Sequence, residues 1–378
     1  MTSLWLQADP TIGEAGGARA TLTADAIDTS TVDPALKSNS MFRMGLREGY
    51  GEYYKNGLQL RAGKQIMPWG KSDAINPTDL LTAKDYSLLN HDEEVRRIGA
   101  GAMNASWTPL QGVAPVTFQL VWIPIFAQHR LLIPPSAVPG VDLASLAPQA
   151  PTRNLSNSEA AFKTSYSGTG WDVSALAFRG WNHFPLFSLD EKGKLQRSFQ
   201  QITAAGGDFS VSFEKWVLRG ETAYLWTDSY DPEKRPELQP NRLDGVLGVE
   251  RPIADDFRVQ VQGVMRYHPE FKKADEVPLP KRALTRGNQL LTGSQFRARP
   301  GSTFRLSYTA PSSGFEAEIF LLGNWVGGDY LARPKISYPW SDAFRTTLSA
   351  DYYGGPGNLS LGAMQAFNSV ALEAKYSF

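Results

Sequence analysis

The sequence predicts an all-β fold, a transmembrane antiparallel β-barrel of about sixteen strands, or eighteen if the N-terminal segment is a strand and has a further, unidentified partner, with short periplasmic turns and long extracellular loops. Three observations carry this. The 378 residues include 34 Gly, 14 Tyr and 10 Trp but only 20% charged residues, and the mean hydropathy is −0.30. A sheet that is greasy on one face and wet on the other has this composition. Apolar and polar residues alternate with period two over many short segments. Short and long connections alternate along the chain, as they do in bacterial outer-membrane barrels.

Composition also excludes. Lys plus Arg and Asp plus Glu are 38 each, so the formal net charge is zero and the chain lacks the basic excess of a nucleic-acid binder. With no cysteine, thiol catalysis, iron–sulfur clusters, c-type haem attachment and disulfide scaffolds fall away together. The stretch from Ile98 to Gln128 has no charged residue, but Pro109, Pro115 and Pro124 break it as a spanning helix. Met1 to Trp5 lacks the basic start and apolar core of a leader, so an exported form is expected to be a mature one.

Taken in order, residues 1–17 read as a plug, a periplasmic extension or an extra strand, and residues 18–378 as one barrel domain. Strands are predicted near 18–28, 40–54, 57–67 and 94–107. Near 115–125, Val116, Phe118, Leu120 and Trp122 oppose Thr117 and Gln119. Strands near 156–168, 170–181 and 199–213 follow, the last with Gly206 and Gly207 at a close approach or a bulge. At 215–227 one face reads Trp216, Leu218, Gly220, Thr222, Tyr224 and Trp226, with aromatics at both ends. The other reads Lys215, Val217, Arg219, Glu221, Ala223, Leu225 and Thr227.

After 241–251, the strand near 256–268 sets Phe257, Val259, Val261, Met265 and Tyr267 against Arg258, Gln260, Gln262, Arg266 and His268. After 301–309, the strand near 314–325 sets Phe315, Ala317, Ile319, Leu321 and Trp325 against Glu316, Glu318 and Asn324, with Phe320 and Leu322 breaking the polar side. After 330–339, the strand near 343–353 sets Phe344, Leu348, Ala350 and Tyr352 against Arg345, Thr347, Ser349 and Asp351. The last is near 366–378. Aromatics gather at strand ends, as an interfacial belt requires. In hydrocarbon each unpaired backbone group costs several kcal/mol, so only a closed sheet is viable there. A barrel this wide encloses water and needs no apolar filling.

The polar face supplies the pore-lining candidates: Arg43, Arg47, Arg61, Lys163, Arg219, Glu221, Arg258, Arg266, Glu316, Glu318, Arg333, Lys335, Arg345, Asp351, Glu373 and Lys375. Facing rows of opposite charge set a transverse field and select ions; pairing across neighbouring strands only stiffens the wall. The excess of cations predicts a mild anion preference. The loop 68–93 supplies constriction candidates, Trp69, Lys71, Asp73, Asn76, Asp79 and Asp85, on the expectation that it folds inward. Asn76-Pro77-Thr78-Asp79 is expected to cap a short helix through Leu80–Lys84. Its acids, Asp92 and Glu93 included, fit no standard calcium loop. The loop 126–152 is strongly apolar, with Leu131-Leu132-Ile133-Pro134-Pro135 at its centre, and suits contact with hydrophobic solutes, a docked partner or a plug. His91, His129, His183 and His268 show no metal-binding spacing, and no nucleophile elbow is present. No catalytic residue, cofactor or metal site is predicted.

Two stretches carry resemblances. Val370, Leu372, Ala374, Tyr376 and Phe378 alternate with polar or small residues and end the chain on Phe378. This resembles the assembly signal of Gram-negative outer-membrane proteins, with Tyr376 and Phe378 as its candidates, and implies the barrel-assembly machinery as a partner. Leu58-Gln59-Leu60-Arg61-Ala62-Gly63-Lys64-Gln65, then Trp69-Gly70-Lys71-Ser72-Asp73 and Ile75-Asn76-Pro77-Thr78-Asp79, is similar to a segment of a broad group of porin-like outer-membrane proteins. The resemblance implies a barrel in the outer membrane of a Gram-negative bacterium, and some of that group look like partners of lipid exporters. The expectation is a channel for passive diffusion of small solutes or ions. The rivals are a sheath or docking barrel for an envelope partner, such as a cytochrome conduit or a lipid-export system, and, less favoured, an outer-membrane hydrolase.

Overall fold

The computed structural model describes residues 2–12, 15–29, 39–87, 93–109, 115–131, 146, 149–190, 192–279 and 281–376. Its large antiparallel sheet has 17 long strands. They are β1 (Thr2–Ala8), β2 (Gly16–Thr29), β3 (Asn39–Lys55), β4 (Leu58–Gln65), β5 (Ala100–Trp107), β6 (Val116–Ile123), β7 (Glu159–Gly168), β8 (Trp171–Trp181) and β9 (Gln201–Phe213). Then come β10 (Trp216–Thr227), β11 (Arg242–Pro252), β12 (Phe257–Tyr267), β13 (Ala298–Thr309), β14 (Glu316–Asn324), β15 (Tyr330–Pro339), β16 (Phe344–Gly354) and β17 (Ser369–Tyr376). A two-residue piece, Thr11–Ile12, also pairs with β2.

Each strand pairs antiparallel with the next in the chain, from β1 to β17. The sixteen predicted strands are β2–β17. The segment before residue 18 adds β1, which runs beside β2 from Thr2↔Ala26 to Ala8↔Ala20. β1 and β17 end the order and run in the same direction, and among the described residues no hydrogen-bonded register joins them.

Alternation decides which face each residue takes. On β10, Glu221, Ala223 and Leu225 are buried while Thr222 and Trp226 are exposed. On β8, Ser174, Leu176 and Phe178 are buried between exposed Val173, Ala175 and Ala177. The exposed face carries Leu120, Leu247, Val261, Met265, Leu321, Ile336 and Leu348 along the strands. Aromatics crowd its two margins. Trp107 packs near Phe118, Tyr166 on Trp171, and Tyr338 on Trp340 at the short-turn end. Tyr224 with Trp226 and Tyr330 with Tyr352 do so at the other end. Polar tips there find partners: Trp340 Nε1 donates to Thr346 Oγ1 at 2.9 Å and Trp325 Nε1 to Ser302 Oγ at 3.2 Å. Amphipathic rings of this kind sit at a headgroup boundary.

Turns at one end are tight. Asn56 and Gly57, with φ of 50° and 77°, join β3 to β4, the backbone twist that suits a two-residue hairpin. The other end carries 66–99, 124–158, 182–200 and 268–297. There the hairpin Leu186–Leu189/Leu195–Ser198, helix α1 (Lys281–Thr292) and the 3-10 turn Gly362–Phe367 share an apolar core of Phe187, Leu284, Leu290 and Ala363, with Leu146 against it. Most of the apolar loop 126–152 lies outside the described residues, as do His91, Asp92 and Phe378.

The sheet must curl. β13 is nine strands beyond β4, a flat span of about 43 Å. Yet Asp73, eight residues past the end of β4, bonds to Arg305 of β13 at 2.5 Å. Eight residues reach at most about 28 Å even when fully extended. Curvature around the loop is the only way to bring the two together.

Candidate functional site

The loop that leaves β4 lies against the buried face of the sheet. Met67, Trp69 and Leu81 pack on Ala100, Ala102, Val121, Ile123, Ala161, Leu176, Phe178, Ile202, Ala204, Ala223 and Leu225. All of these are inward residues of β5–β10, in the halves nearest the long loops. The expectation that the inner face needs no apolar filling therefore fails on this wall. The loop itself covers it, and apolar burial at about 25 cal/mol per Å² holds the loop inside.

Polar contacts then fix its course. At the root, Glu48 Oε1 accepts from Ile66 N at 3.0 Å, and Trp69 Nε1 donates to Gln119 Oε1 of β6 at 3.0 Å. Glu221 of β10 is 4% exposed and takes four donors. Its Oε1 accepts from the backbone N–H groups of Lys71 and Ser72. Its Oε2 accepts from Thr78 Oγ1 at 2.8 Å and Thr78 N at 3.3 Å. Convergent backbone N–H groups form a concave site for an anion, here filled by the wall's own carboxylate. Gly70 makes the turn with φ of 91°, and a Cβ there would lie 1.9 Å from Asn76 Oδ1.

The helix expected through Leu80–Lys84 does not form. Thr78 N and Oγ1 are engaged by Glu221 rather than capping a helix, and Asp79 Oδ2 meets Arg97 Nη1 at 3.0 Å and Lys84 Nζ at 3.4 Å. Ala83–Lys84 instead pair as a short strand with Arg97–Ile98. The described helix in this loop is the single turn Glu93–Arg96. Asp85 pairs with Arg130 at 2.9 Å, joining two long loops.

The remaining constriction candidates meet the wall. Lys71 Nζ lies between Asp172 and Asp208, 3.1 Å from the latter. Asp208 also receives Lys163 Nζ at 3.0 Å. Beside the loop tip is a cavity of 730 Å³ lined by Lys71, Ser72 and Asp73 and by residues of β8–β14, among them Asp172, Arg219, Glu250, Arg258, Arg305 and Glu318. A second cavity of 300 Å³ lies by the loop root, lined by Arg61, Trp69, Asn104, Gln119 and Lys163.

The pore-lining candidates with described side chains all lie on the loop-bearing face, but few point into open space. Arg61 pairs with Glu52 at 2.9 Å, Arg219 with Glu250 at 2.6 Å, and Arg258 with Glu250 at 3.3 Å. Arg266 pairs with Asp244 at 2.7 Å, Arg333 with Asp351 at 2.5 Å, and Arg345 with Glu316 at 2.9 Å. Glu318 lies 3.7 Å from Arg305. Opposite charges on this face thus pair with one another along the wall.

Glu221 lies under the loop, Asp351 is buried, and Arg266 donates from Nη1 to Thr292 O at 2.6 Å. Arg47 is the extra residue of a bulge opposite Thr21/Leu22, and its guanidinium donates to Val95 O at 3.0 Å and to Glu94 O. Register sets Arg43 opposite Asp25. Lys335, Glu373 and Lys375 occupy inward positions on β15 and β17. Val370, Leu372 and Tyr376 take the exposed face of β17.

Arg305, Glu250, Asp172 and Asp208 were missed as candidates. Period-two alternation within 301–309 was the available signal for Arg305. The segment Leu58–Gln65 also gains physical meaning. Gly63 has φ of 133° and no room for a Cβ, which would lie 2.3 Å from Gly49 O. Lys64 caps the carbonyl of Leu46 beside the bulge, and Gln65 Nε2 donates to Ala102 O at 2.9 Å.

No protein-family model matches the chain, and no curated protein does. Solved structures do match. OccAB3 of Acinetobacter baumannii aligns over 100% of this chain and 90% of its own, with a TM-score of 0.54 and 9% identity. OccK10 of Pseudomonas aeruginosa aligns over 100% and 92%, with a TM-score of 0.51 and 8% identity. Wzi of Escherichia coli, a carbohydrate-binding β-barrel involved in group 1 capsule assembly, aligns over 98% and 76%, with a TM-score of 0.50 and 11% identity. At these identities the likeness is one of architecture, and the chain has the all-β fold of a transmembrane antiparallel β-barrel.

Proposed function

We propose that the chain is an outer-membrane channel for passive passage of small polar solutes and ions, narrowed by the loop that joins β4 to β5. The carrying observation is the loop tip held inside the wall by Glu221, beside a 730 Å³ cavity lined by charged side chains. The apolar exposed face with two aromatic margins suits lipid, and the polar face suits water. Such a site selects by width and lining charge, with no covalent step.

Lining charge is balanced: Lys71, Arg219, Arg258 and Arg305 stand against Asp73, Asp172, Glu250 and Glu318. Strong ion selectivity is therefore not expected. Arg258 is the most open of the paired lining side chains, at 64% exposed, and tilts the preference mildly towards anions. The exposed face of β17, with Val370, Leu372 and Tyr376, supports recognition by the barrel-assembly machinery.

Planar-bilayer conductance under a salt gradient tests this reading. The expected result is a discrete conductance with a small reversal potential of anion-preferring sign. A pure, folded barrel that never conducts but holds an envelope partner through purification would replace the channel with the sheath.

A further inference from the structure

We propose that the Asp73–Arg305 ion pair straps the loop tip to the far wall, so that making and breaking this one contact sets the width of the pore. The inference rests on the channel reading and goes beyond it, because the other polar anchors of residues 69–78 hold the loop tip to β6, β8, β9 and β10.

The geometry is specific. Trp69, Lys71 and Ser72 bind residues of β6, β8, β9 and β10. Asp73 alone turns away and meets Arg305 of β13 at 2.5 Å, three strands beyond Glu221. The two side chains are 35% and 28% exposed, and both line the 730 Å³ cavity, so the contact crosses solvent-accessible space. Arg305 has a resting place when released. Glu318 lies 3.7 Å from its Nε, and its guanidinium sits 5.4 Å from the centre of the Phe320 ring. Phe320 and Leu322 break the polar alternation of β14, and Phe320 thereby gains a role as the platform under Arg305.

Asp73 faces Arg305, Glu318, Arg219 and Glu250, with Arg258 on the same cavity. Partial burial raises its carboxyl from the ordinary value, against the pull of Arg305. Protonation on acidification therefore neutralises the strap before ordinary carboxylates titrate.

The test is single-channel recording of the full chain in planar bilayers. Variants are Asp73→Ala, Asp73→Asn, Arg305→Ala and the exchange Asp73→Arg with Arg305→Asp. A pair this exposed biases the strapped-to-released ratio by at most about five-fold. Each single substitution is expected to shift occupancy to a wider level by up to that factor, and the exchange to restore the wild-type distribution. Lowering the pH is expected to widen the wild-type channel at a higher pH and by more than it widens Asp73→Asn.

Heat-modifiable migration on gels confirms that each variant is folded, and the isosteric Asp73→Asn serves if the alanine variant is not. Folded, conducting variants with wild-type occupancy, or an exchange that stays wide, overturn the strap alone. A wild-type barrel that never conducts overturns the channel reading first.

Discussion

Glu221 shows how one side chain organises the interior. Replacing it by alanine leaves the N–H groups of Lys71, Ser72 and Thr78 and the Thr78 hydroxyl without their acceptor. Unsatisfied buried donors at this count cost roughly 3 kcal/mol or more. Glu221→Ala is expected to raise conductance and its noise in planar bilayers; an unchanged trace would show that the apolar contacts of Met67 and Trp69 suffice. Gly70→Ala attacks the same turn from the loop side. Its positive φ and the missing space near Asn76 predict a loss of about 1–3 kcal/mol, read as a lower melting temperature together with a wider pore.

The inward position of Glu221 was legible, because alternation along 215–227 fixes it. Its partner was not. Nothing in Trp69-Gly70-Lys71-Ser72-Asp73 or Ile75-Asn76-Pro77-Thr78 announces that their N–H groups converge on a carboxylate about 150 residues later in the chain.

Elements divide in the same way. β2–β17 follow the predicted segments to within three residues except β5, which begins at Ala100 rather than near 94, since period two is a local signal that survives without knowledge of neighbours. The long loops were opaque. The helix expected after Asn76 lost to tertiary contacts of Thr78 and Asp79. The hairpin at 186–198 and α1 pack on each other through Phe187, Leu284 and Leu290, contacts that no local pattern reveals. Phe187→Ala is expected to cost about 3–5 kcal/mol locally. Hydrogen exchange in 186–198 and 281–292 should accelerate while the strands keep their protection; uniform acceleration would mean that loops and wall unfold together.

A second junction ties three loops. His129 Nδ1 accepts from Lys84 N at 2.8 Å, and its ring lies 5.3 Å from that of His183 and 4.5 Å from that of Phe184. Burial, with His183 and Lys84 nearby, holds the imidazole of His129 well below its ordinary value of 6.5. A lowered histidine supports the fold fully above that ordinary value and loses its support as the pH falls through the lowered one. Acid should thus loosen this junction. Limited trypsin cleavage after Lys84 and Arg130 is expected to rise on acidification in the wild type and to stay flat in His129→Asn, which keeps an acceptor near Nδ1. Equal acid sensitivity in both would place the effect elsewhere.

For the whole molecule, the two faces of one sheet define an outside and an inside. An arginine on the exposed face of a mid-strand position costs about 2–4 kcal/mol in a bilayer, so Leu247→Arg should lower the refolding yield in lipid vesicles more than a substitution at Arg258 does. The global arrangement was readable because hydrocarbon forbids unpaired backbone, a constraint that acts on every strand at once. The apolar wall of β5–β10 was not, although Val121, Ile123, Phe178 and Leu225 stand at inward positions in the sequence. They look like exceptions until the loop that covers them is seen.

The chain has no cysteine, so a single introduced thiol reports its own surroundings without background. The most direct measurement of the two-faced sheet is a cysteine series along β14, from Glu316→Cys to Leu321→Cys, in lipid vesicles with a polar, membrane-impermeant maleimide. Positions 316 and 318 are expected to react, and positions 317, 319 and 321 to stay silent while contacting lipid-borne quenchers. Reactivity without alternation, or alternation of the opposite phase, would contradict the assignment of lipid to one face and water to the other.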